Sequence, residues 1–276
     1  MDSFLKGKIA IITGAARGIG RAVASAFVQN GAAVVVVSRT CAEIDDTVKL
    51  LKDIGGRAIG VVADVSNCRE VDGVVQKTIS AFQTVDILVN CAGIQKPIGP
   101  LLENDIERWI ENIQINLIGT VICCKAVLPV MIKKGKGNII NFSGGGATSS
   151  RPGFSAYACS KAAVVRFTEV LADEVKGYNI RVNAIAPGAV NTKMLDEVLE
   201  AGPLAGSELE EARLRAQKGG NSPDLASSLA VFLASDKSDG LTGRLISAIW
   251  DNWQQFDRDA RHQIMSSNKY TLRRVT

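Results

Sequence analysis

Tyr157 and Lys161 lie four residues apart in the run YACSK, and their types and spacing suit acid–base chemistry. On a helix, residues four apart share a face, so both side chains point the same way. A tyrosine with its ordinary pKa of about 10 is a poor acid or base at neutral pH. A neighbouring ammonium favours the phenolate and lowers this pKa. The pair therefore predicts a site at which Tyr157 exchanges a proton with a reacting oxygen.

A second candidate site is the run TGAARGIG, which follows an apolar stretch and precedes a helical one. Glycine permits positive φ and lets a pyrophosphate approach the backbone closely. The N-terminus of the next helix offers free amides and a partial positive charge. The run predicts a dinucleotide-binding turn, and a plain strand–helix turn is the alternative. Its candidate residues are Gly14, Arg17, Gly18, Ile19 and Gly20.

The residues that end the second predicted strand bear on cofactor choice. A site for NAD usually places an acid there to bind the ribose 2′-hydroxyl. This chain has Ser38 and Arg39 instead. Arg39 can hold a 2′-phosphate with a charge-assisted fork, and Arg17 can add a second contact. We therefore favour NADP(H), with NAD(H) as the alternative if both arginines are only solvated surface charges.

Strand-like and helix-like segments alternate along the whole chain, which positions these motifs. The alternation predicts an α/β fold with a doubly wound, Rossmann-like parallel sheet of about seven strands. We assign residues 1–248 to a single catalytic domain and 249–276 to a C-terminal extension of it. The predicted strands are 8–13, 32–38, 57–64, 85–90, 138–143, 180–186 and 243–248. The predicted helices are 18–30, 41–54, 68–82, 103–133 (two helices broken near Gly119), 155–177, 193–217 and 223–235.

Composition excludes several classes of function. The 276 residues suit one α/β domain, and the net charge of +4 is too mild for a nucleic-acid partner. The N-terminus has no apolar stretch of signal-peptide length, and no apolar run is expected to span a bilayer. Six cysteines without a CxxC pair, and a single histidine, predict no metal site and a reducing compartment. A soluble, cytoplasmic protein is expected.

Three motifs occur in a characteristic order: TGAARGIG, then NCAG, then YACSK. Over roughly residues 6–247 the chain resembles the short-chain dehydrogenases/reductases, in their compact single-domain branch. The resemblance implies hydride transfer between NAD(P)(H) and a carbonyl or secondary alcohol, with Tyr157 as acid and base. It implies that Lys161 also holds the nicotinamide ribose and that Asn116 anchors a proton-relay water, although Asn116 can also be an ordinary mid-helix polar residue. It further implies that helices 103–133 and 155–177 pair about a two-fold axis in a homodimer or homotetramer.

The resemblance also implies further cofactor-binding positions. Asp64 and Val65 match the contact with the adenine edge, although Asp64 can instead cap the following helix. A cysteine, Cys91, replaces the more usual asparagine after Asn90. The remaining matches are Ala92 and Gly93 in the turn that lines the cofactor, and Pro187, Gly188, Val190 and Thr192 in the segment that holds the nicotinamide amide.

The chain departs from the family pattern at one catalytic position. The family serine normally lies 13 residues before the tyrosine, and that position is Gly144. Ser143 can take the role if the glycine-rich turn re-aims it, and Thr148 or a backbone amide are the alternatives. Weakened activity is the fourth outcome, because loss of one such donor costs about a hundredfold or more in rate. The departure keeps a non-catalytic NADP-binding sensor or subunit open as a rival function.

The substrate side is less specific. Residues 190–220 mix leucines with many charges and predict an amphipathic lid. Trp250 and Trp253 follow the last strand, where they can close an active site, stack on a sugar ring or cover the end of the sheet. A sugar-nucleotide epimerase or dehydratase on the same fold is a further rival, although the TGxxGxxG loop and the larger substrate domain of those enzymes are absent from the sequence.

Overall fold

A computed structural model describes residues 3–273 of the chain and has the predicted doubly wound α/β architecture. All seven strands are parallel and form one sheet in the order β3-β2-β1-β4-β5-β6-β7. The strands are β1 (Ile9–Thr13), β2 (Ala33–Ser38), β3 (Arg57–Val62), β4 (Ile87–Asn90), β5 (Gly137–Phe142), β6 (Ile180–Ala186) and β7 (Leu245–Ser247).

Ten α-helices cover the two faces and the carboxyl edge of this sheet within the described residues. They are α1 (Gly18–Gln29), α2 (Cys41–Asp53), α3 (Cys68–Phe82), α4 (Ile106–Ile113), α5 (Gly119–Lys134), α6 (Ser155–Glu174), α7 (Lys193–Ala201), α8 (Glu208–Lys218), α9 (Pro223–Ala234) and α10 (Arg258–Met265).

The strands are apolar on both sides because helices bury both faces. Alternate residues of β2 enter different cores: Val34 and Val36 pack with α1, α2 and α9, whereas Val35 and Val37 pack with α3, α5 and α6. Valine's branched side chain fits such a pleated, buried surface. This two-sided burial fixes the sheet firmly and leaves its carboxyl edge to carry the loops that form the site.

The helix predicted to break near Gly119 is continuous. Between α4 and α5 the chain makes one π-helical stretch, Gln114–Ile118, and Gly119 continues directly into α5. A larger residue at position 119 would clash, because a Cβ there would lie 2.7 Å from a Val65 methyl group. Single π turns inside α-helices occur frequently at functional positions, and this one contains Asn116.

The continuous helix also corrects the expectation that no apolar run is long enough to span a bilayer. The helix Ile106–Lys134 is long and apolar enough, by length and composition alone, to cross a bilayer. Its inner side, however, packs in the core beside α3, and 44% of its most apolar window is buried within the fold. A core helix of an α/β domain passes the same test, so the helix is accounted for by the fold.

The C-terminal extension packs against the sheet rather than projecting from it. Trp253 is buried against Phe232 of α9, with ring centroids 5.7 Å apart, whereas Trp250 is 84% exposed. Of the alternatives for these two residues, Trp253 therefore covers the apolar core beside α9. At the sheet edge, the Leu245 amide donates to the Tyr270 carbonyl oxygen at 2.8 Å, so the tail lies along β7.

Candidate active site

The site lies at the carboxyl edge of the sheet, where the strand order reverses between β1 and β4. A cavity of about 410 Å³ opens there, between the glycine turn after β1, the ends of β2 and β4, and the start of α7. Open α/β sheets bind ligands at such a topological switch point. Nine predicted cofactor residues among the first 65 positions line it: Gly14, Arg17, Gly18, Ile19, Gly20, Ser38, Arg39, Asp64 and Val65. Ala92, Gly93 and Thr192 complete its predicted lining.

The glycine turn is tightly folded against the loop after β4. Gly14 has φ of +65°, and a Cβ there would lie 2.8 Å from the Ala92 Cα. A Cβ on Gly20 would lie 2.3 Å from the Gly14 carbonyl oxygen. The N-terminus of α1 has no side-chain cap and no acidic residue in its first turn. Its free amides therefore remain available to an anion such as a pyrophosphate.

Two arginines stand at the mouth of this cavity. Arg17 pairs with Glu43 at 3.2 Å, and Arg39 pairs with Asp64 at 3.8 Å. Both arginine side chains are more than half exposed, and ion pairs at such sites contribute little to stability. A phosphate can therefore displace the acidic partners without a large cost to the fold. The residues present fit a dinucleotide with a 2′-phosphate.

Asp64 does not cap the helix that follows β3. Asn67 is the N-cap of α3, and its side chain accepts hydrogen bonds from the amides of Arg69 and Glu70. Asp64 instead accepts from the Ser66 amide at 2.8 Å and from its hydroxyl at 2.6 Å. Burial alone would raise the pKa of Asp64, but these hydrogen bonds and the charge of Arg39 outweigh it and lower that pKa. An ionised carboxylate thus sits at the cavity wall.

Four other predicted cofactor residues, Asn90, Pro187, Gly188 and Val190, are not among the residues that line this cavity. Asn90 is buried, and its amide donates to the Asn141 Oδ1 at 2.9 Å, which ties β4 to β5. Gly188 packs against Ile249, because a Cβ there would meet that side chain at 2.5 Å. The segment of Pro187, Gly188 and Val190 carries the chain from β6 to Thr192, whose hydroxyl caps α7.

Tyr157 and Lys161 come together one turn apart on α6, as their spacing predicts. Both are buried, with 6% and 5% of their surface exposed. The Lys161 Nζ donates to the Phe142 carbonyl oxygen at 2.9 Å and lies 5.6 Å from the centroid of the Tyr157 ring. A Cβ on Gly93 would lie 3.5 Å from the same Nζ, so the lysine borders both the tyrosine and the cofactor cavity.

Burial moves both pKa values away from what the spacing alone suggests. Desolvation raises the pKa of Tyr157 to about 12 and lowers the pKa of Lys161 to about 8. The expected lowering of the Tyr157 pKa by the lysine is therefore not what this protein shows by itself. Burial in a low dielectric penalises the charged form of each group. Further positive charge beside Tyr157 would favour its phenolate and lower this pKa.

Asn116 has a structural role that its helical position did not suggest. Its Oδ1 accepts from the Ile94 amide at 2.9 Å, and its Nδ2 donates to the Ile94 carbonyl oxygen at 2.9 Å. The same Nδ2 lies 3.0 Å from the Ser160 hydroxyl. Asn116 therefore links the π turn to the loop after β4 and to α6, the helix that carries Tyr157 and Lys161.

The glycine that replaces the family serine packs directly against the tyrosine. A Cβ on Gly144 would lie 2.3 Å from the Tyr157 hydroxyl oxygen. Ser143 is buried, and its Oγ has no hydrogen-bond partner within residues 3–273. Thr148, the other candidate hydroxyl, is exposed. Of the two hydroxyls, that of Ser143 is buried and unpartnered within the described residues, whereas Thr148 is exposed.

The predicted lid covers the tyrosine. It consists of two helices, α7 and α8, rather than one, because Gly202 and Gly206 take positive φ between them. Tyr157 belongs to an apolar cluster separate from the two main cores. The other buried members are Ile98, Phe154, Leu195, Val198, Ala205, Leu209 and Ala212. The lid thus packs its apolar side chains in one cluster with Tyr157.

Sequence reasoning missed charged residues that the lid brings to the site. Glu197 lines the cofactor cavity, and its Oε2 is buried without a partner within residues 3–273. Burial raises the pKa of this carboxyl, and Lys96 and Lys193 offset part of the effect. Arg151 and Glu208 form an ion pair beside Tyr157. Only the amphipathic pattern of the lid hinted at these contacts.

A larger groove, of about 1260 Å³, lies between α1, α9 and the C-terminal extension. Phe232, Trp253 and Arg261 are among its lining residues, and Gly18 is the only predicted site residue there. We place the active site in the smaller cavity because the glycine turn, the open helix N-terminus and the ends of β1 and β4 meet there.

Comparison with known proteins identifies relatives across nearly the whole chain. The short chain dehydrogenase family pattern matches residues 8–202. Over 242 residues the chain is 36% identical to 3-oxoacyl-(acyl-carrier-protein) reductase of Thermotoga maritima. The aligned region covers 88% of this chain and 96% of that protein.

Two solved structures show the same fold. NAD+-bound xylitol dehydrogenase superimposes with a TM-score of 0.83 at 26% identity, over 88% of this chain and 98% of the other. Gluconate 5-dehydrogenase of Burkholderia cenocepacia, in complex with NADP and tartrate, superimposes with a TM-score of 0.79 at 28% identity, over 89% and 94%. One relative holds NAD and the other NADP, so this fold does not fix the cofactor.

Proposed function

The chain belongs to the short-chain dehydrogenase family of oxidoreductases, and we propose that it transfers a hydride between NADP(H) and a carbonyl or secondary alcohol substrate. The observation that carries the proposal is the meeting of Tyr157 and Lys161 with a glycine turn and an open helix N-terminus at one switch point. An acid–base pair beside a dinucleotide cavity has a direct use in carbonyl reduction. A protein that only binds the cofactor needs no such pair.

In this proposal Tyr157 is the general acid in reduction and the general base in oxidation. When bound, the cofactor supplies or accepts the hydride. Tyr157 gives its proton to the carbonyl oxygen, and Lys161 contacts the nicotinamide ribose and adds positive charge. Asn116 holds the cavity loop through Ile94 and anchors a water for proton relay. The buried surroundings of Tyr157 keep bulk water away from the proton transfer.

Ser143 is proposed as the donor that replaces the missing family serine. Its buried, unpartnered Oγ supports this role, because a buried hydroxyl without a partner costs free energy until a ligand supplies one. A donor held close to the reacting oxygen stabilises the negative charge that grows there in the transition state. The glycines that follow Ser143 leave the turn free of side chains.

NADP(H) is favoured over NAD(H) because Arg17 and Arg39 both line the cavity beside Ser38, where no acid ends β2. The free amides of α1 would take the pyrophosphate, and Asp64 with Val65 the adenine edge. Asn90, Ala92 and Gly93 are proposed to shape the wall behind the nicotinamide. Pro187, Gly188, Val190 and Thr192 would hold its amide.

We propose a soluble, cytoplasmic homo-oligomer. Apolar side chains remain exposed along one side of the long helix and on α6, and a two-fold pairing of these helices would bury them. They include Ile106, Ile110, Ile118, Ile132 and Val170, each at least 36% exposed. Residues 1–248 would form the catalytic domain, with 249–276 as its extension.

Replacement of Tyr157 by phenylalanine tests the proposed function. Tyr157→Phe keeps the ring in its apolar cluster and removes the ionisable hydroxyl, so NADPH affinity should change little while turnover falls by about 10²–10⁴-fold. Tyr178→Phe is the matched control, because Tyr178 is 47% exposed and lies beyond the end of α6. Turnover should be measured with NADPH against a panel of sugars, acyl ketones and steroids. Full activity in Tyr157→Phe would refute the mechanism.

A further inference from the structure

Arg151 occupies an unusual position in the turn between β5 and α6. Its guanidinium forms a two-pronged ion pair with Glu208 of the lid helix α8, with Nε–Oε1 at 2.5 Å and Nη2–Oε2 at 2.6 Å. Both side chains are mostly buried, at 15% and 23% exposure. Bidentate geometry fixes the orientation of the guanidinium as well as its position.

The same guanidinium lies against the aromatic rings that lead to the catalytic hydroxyl. Its central carbon is 3.9 Å from the centroid of the Phe154 ring and 5.4 Å from that of the Tyr157 ring. A Cβ on Gly146 would lie 2.6 Å from the Ala158 Cβ of α6 and 3.2 Å from the Arg151 Cβ, so the glycine run packs closely against both. Arg151 is thus slightly closer to the ring of Tyr157 than Lys161 is, at 5.6 Å.

Five titratable or charged groups face Tyr157. Arg151 approaches from the β5–α6 turn, Lys161 from α6, Cys91 from the loop after β4, Glu197 from α7 and Glu208 from α8. Burial is the largest influence and raises the Tyr157 pKa; Arg151 lowers it, whereas Cys91, Glu197 and Glu208 raise it.

We propose that Arg151 is a positioning residue for Tyr157, placing a cation beside its phenolate, and that Glu208 on the lid limits how much of this charge the tyrosine experiences. The inference rests on the proposed role of Tyr157 as acid and base. When Tyr157 gives up its proton to the carbonyl oxygen, the phenolate stays behind in an apolar cluster. A fixed guanidinium stabilises that anion. Gly144, at the position of the family serine, has no side chain that could do so.

The direction of the Tyr157 pKa shift in two variants distinguishes an electrostatic role from a purely structural ion pair. A pair that only latches the lid is broken equally by Arg151→Gln and by Glu208→Gln. An electrostatic role shifts the Tyr157 pKa in opposite directions in the two variants. Arg151→Gln removes a cation and leaves the Glu208 carboxylate unpaired, whereas Glu208→Gln leaves the Arg151 cation without its neutralising partner. A charge within about 4–6 Å shifts a pKa by about 1–3 units, and partial neutralisation by Glu208 places the expected shifts near the lower end.

The experiment titrates Tyr157 directly in the complex with NADP+. The chain has three tyrosines, so the ultraviolet absorbance of tyrosinate, minus that of Tyr157→Phe, isolates this residue. Arg151→Gln should raise the midpoint by about one unit and Glu208→Gln should lower it by a similar amount. Arg151→Lys, which keeps a cation, should stay near the unmodified protein. The pH profile of kcat/KM on an accepted substrate should move in the same directions.

Glu200→Gln is the matched control, because it breaks another ion pair of the lid, with Lys96 at 3.0 Å, among exposed groups. It should leave the Tyr157 midpoint unchanged. Equal shifts in Arg151→Gln and Glu208→Gln, or none in either, would overturn the proposal and leave a latch. The titration needs no substrate, so a failure to find any turnover would count against the proposed function alone.

Discussion

Gly144 gives the sharpest test of how the site is packed. In Gly144→Ala the new Cβ would lie 2.3 Å from the Tyr157 hydroxyl oxygen, whereas ordinary contact begins at 3.4 Å. Because α6 holds the ring among buried residues, the hydroxyl must move by about 1 Å, and displacement of that size in a catalytic group costs about a hundredfold in rate. We therefore expect kcat to fall by about 10²-fold.

The assay compares kcat with NADPH affinity and thermal stability in the same preparation. NADPH affinity should stay within a few-fold, because the cavity lining does not include Gly144. Gly145→Ala is the matched control: its Cβ would meet its nearest neighbour, the Arg151 Nε, at 3.6 Å, an ordinary contact. Equal losses of kcat in the two variants would refute the packing argument, and so would full activity in Gly144→Ala.

The same geometry bears on Gly144→Ser, which restores the serine at its usual spacing. From the sequence alone, Gly144→Ser is expected to partly rescue a Ser143→Ala variant, since it returns a hydroxyl to the position 13 residues before the tyrosine. In the structure, however, serine at 144 would bring the same Cβ as alanine against the Tyr157 hydroxyl. Gly144→Ser should lose activity in an otherwise unmodified protein.

Four further outcomes are expected. Arg39→Asp should reverse an NADPH preference of at least about tenfold, measured by fluorescence titration with both cofactors, because a charge-assisted contact contributes about 1.5–3 kcal/mol; tighter binding of NADH by the unmodified protein would contradict it. Ser143→Ala should lower kcat by about ten- to a thousandfold with NADPH affinity kept, whereas a silent Ser143→Ala with an impaired Thr148→Val would assign the donor to Thr148. Light scattering at micromolar concentration should give a dimer or larger, and a monomer would refute the exposed-helix pairing. Finally, the Lys161 pKa is lowered from 10.5 to about 8, so between these values the unfolded chain binds the proton that the folded chain releases, and the contribution of Lys161 to stability should rise with pH. The difference in thermal unfolding between the unmodified protein and Lys161→Met, both without ligand, should show this rise.

The fold and the cofactor end of the site follow from local sequence patterns. The β-branched run of β2 and the glycine turn before α1 are readable because each depends on a few neighbouring residues. The cofactor preference is predicted from a single position at the end of β2, where Arg39 stands in place of an acid. The predicted break near Gly119 is wrong: the helix continues through a π turn, and Asn116 in that turn bonds to Ile94, 22 residues away, which the local pattern does not indicate.

The environment of the acid–base pair could not be predicted from spacing. The sequence places a lysine near a tyrosine but does not reveal that both groups are buried in the fold, which moves their pKa values in the opposite direction from a simple charge effect. Arg151 and Glu208 are 57 residues apart, on a turn and on a charged helix. Nothing in the local pattern of either segment indicates that they pair.

The glycine at 144 is best understood together with these long-range contacts. Its missing side chain admits the Tyr157 hydroxyl to the backbone of the turn, and the Arg151 guanidinium lies 5.4 Å from the centroid of the same ring. A hydroxyl remains within the turn, one residue earlier, on the buried and unpartnered Ser143. Under the proposals made above, the departure from the family pattern would replace one serine by a shifted hydroxyl and a guanidinium. Ser143→Ala and Arg151→Gln should then each impair Tyr157 chemistry while cofactor affinity is retained.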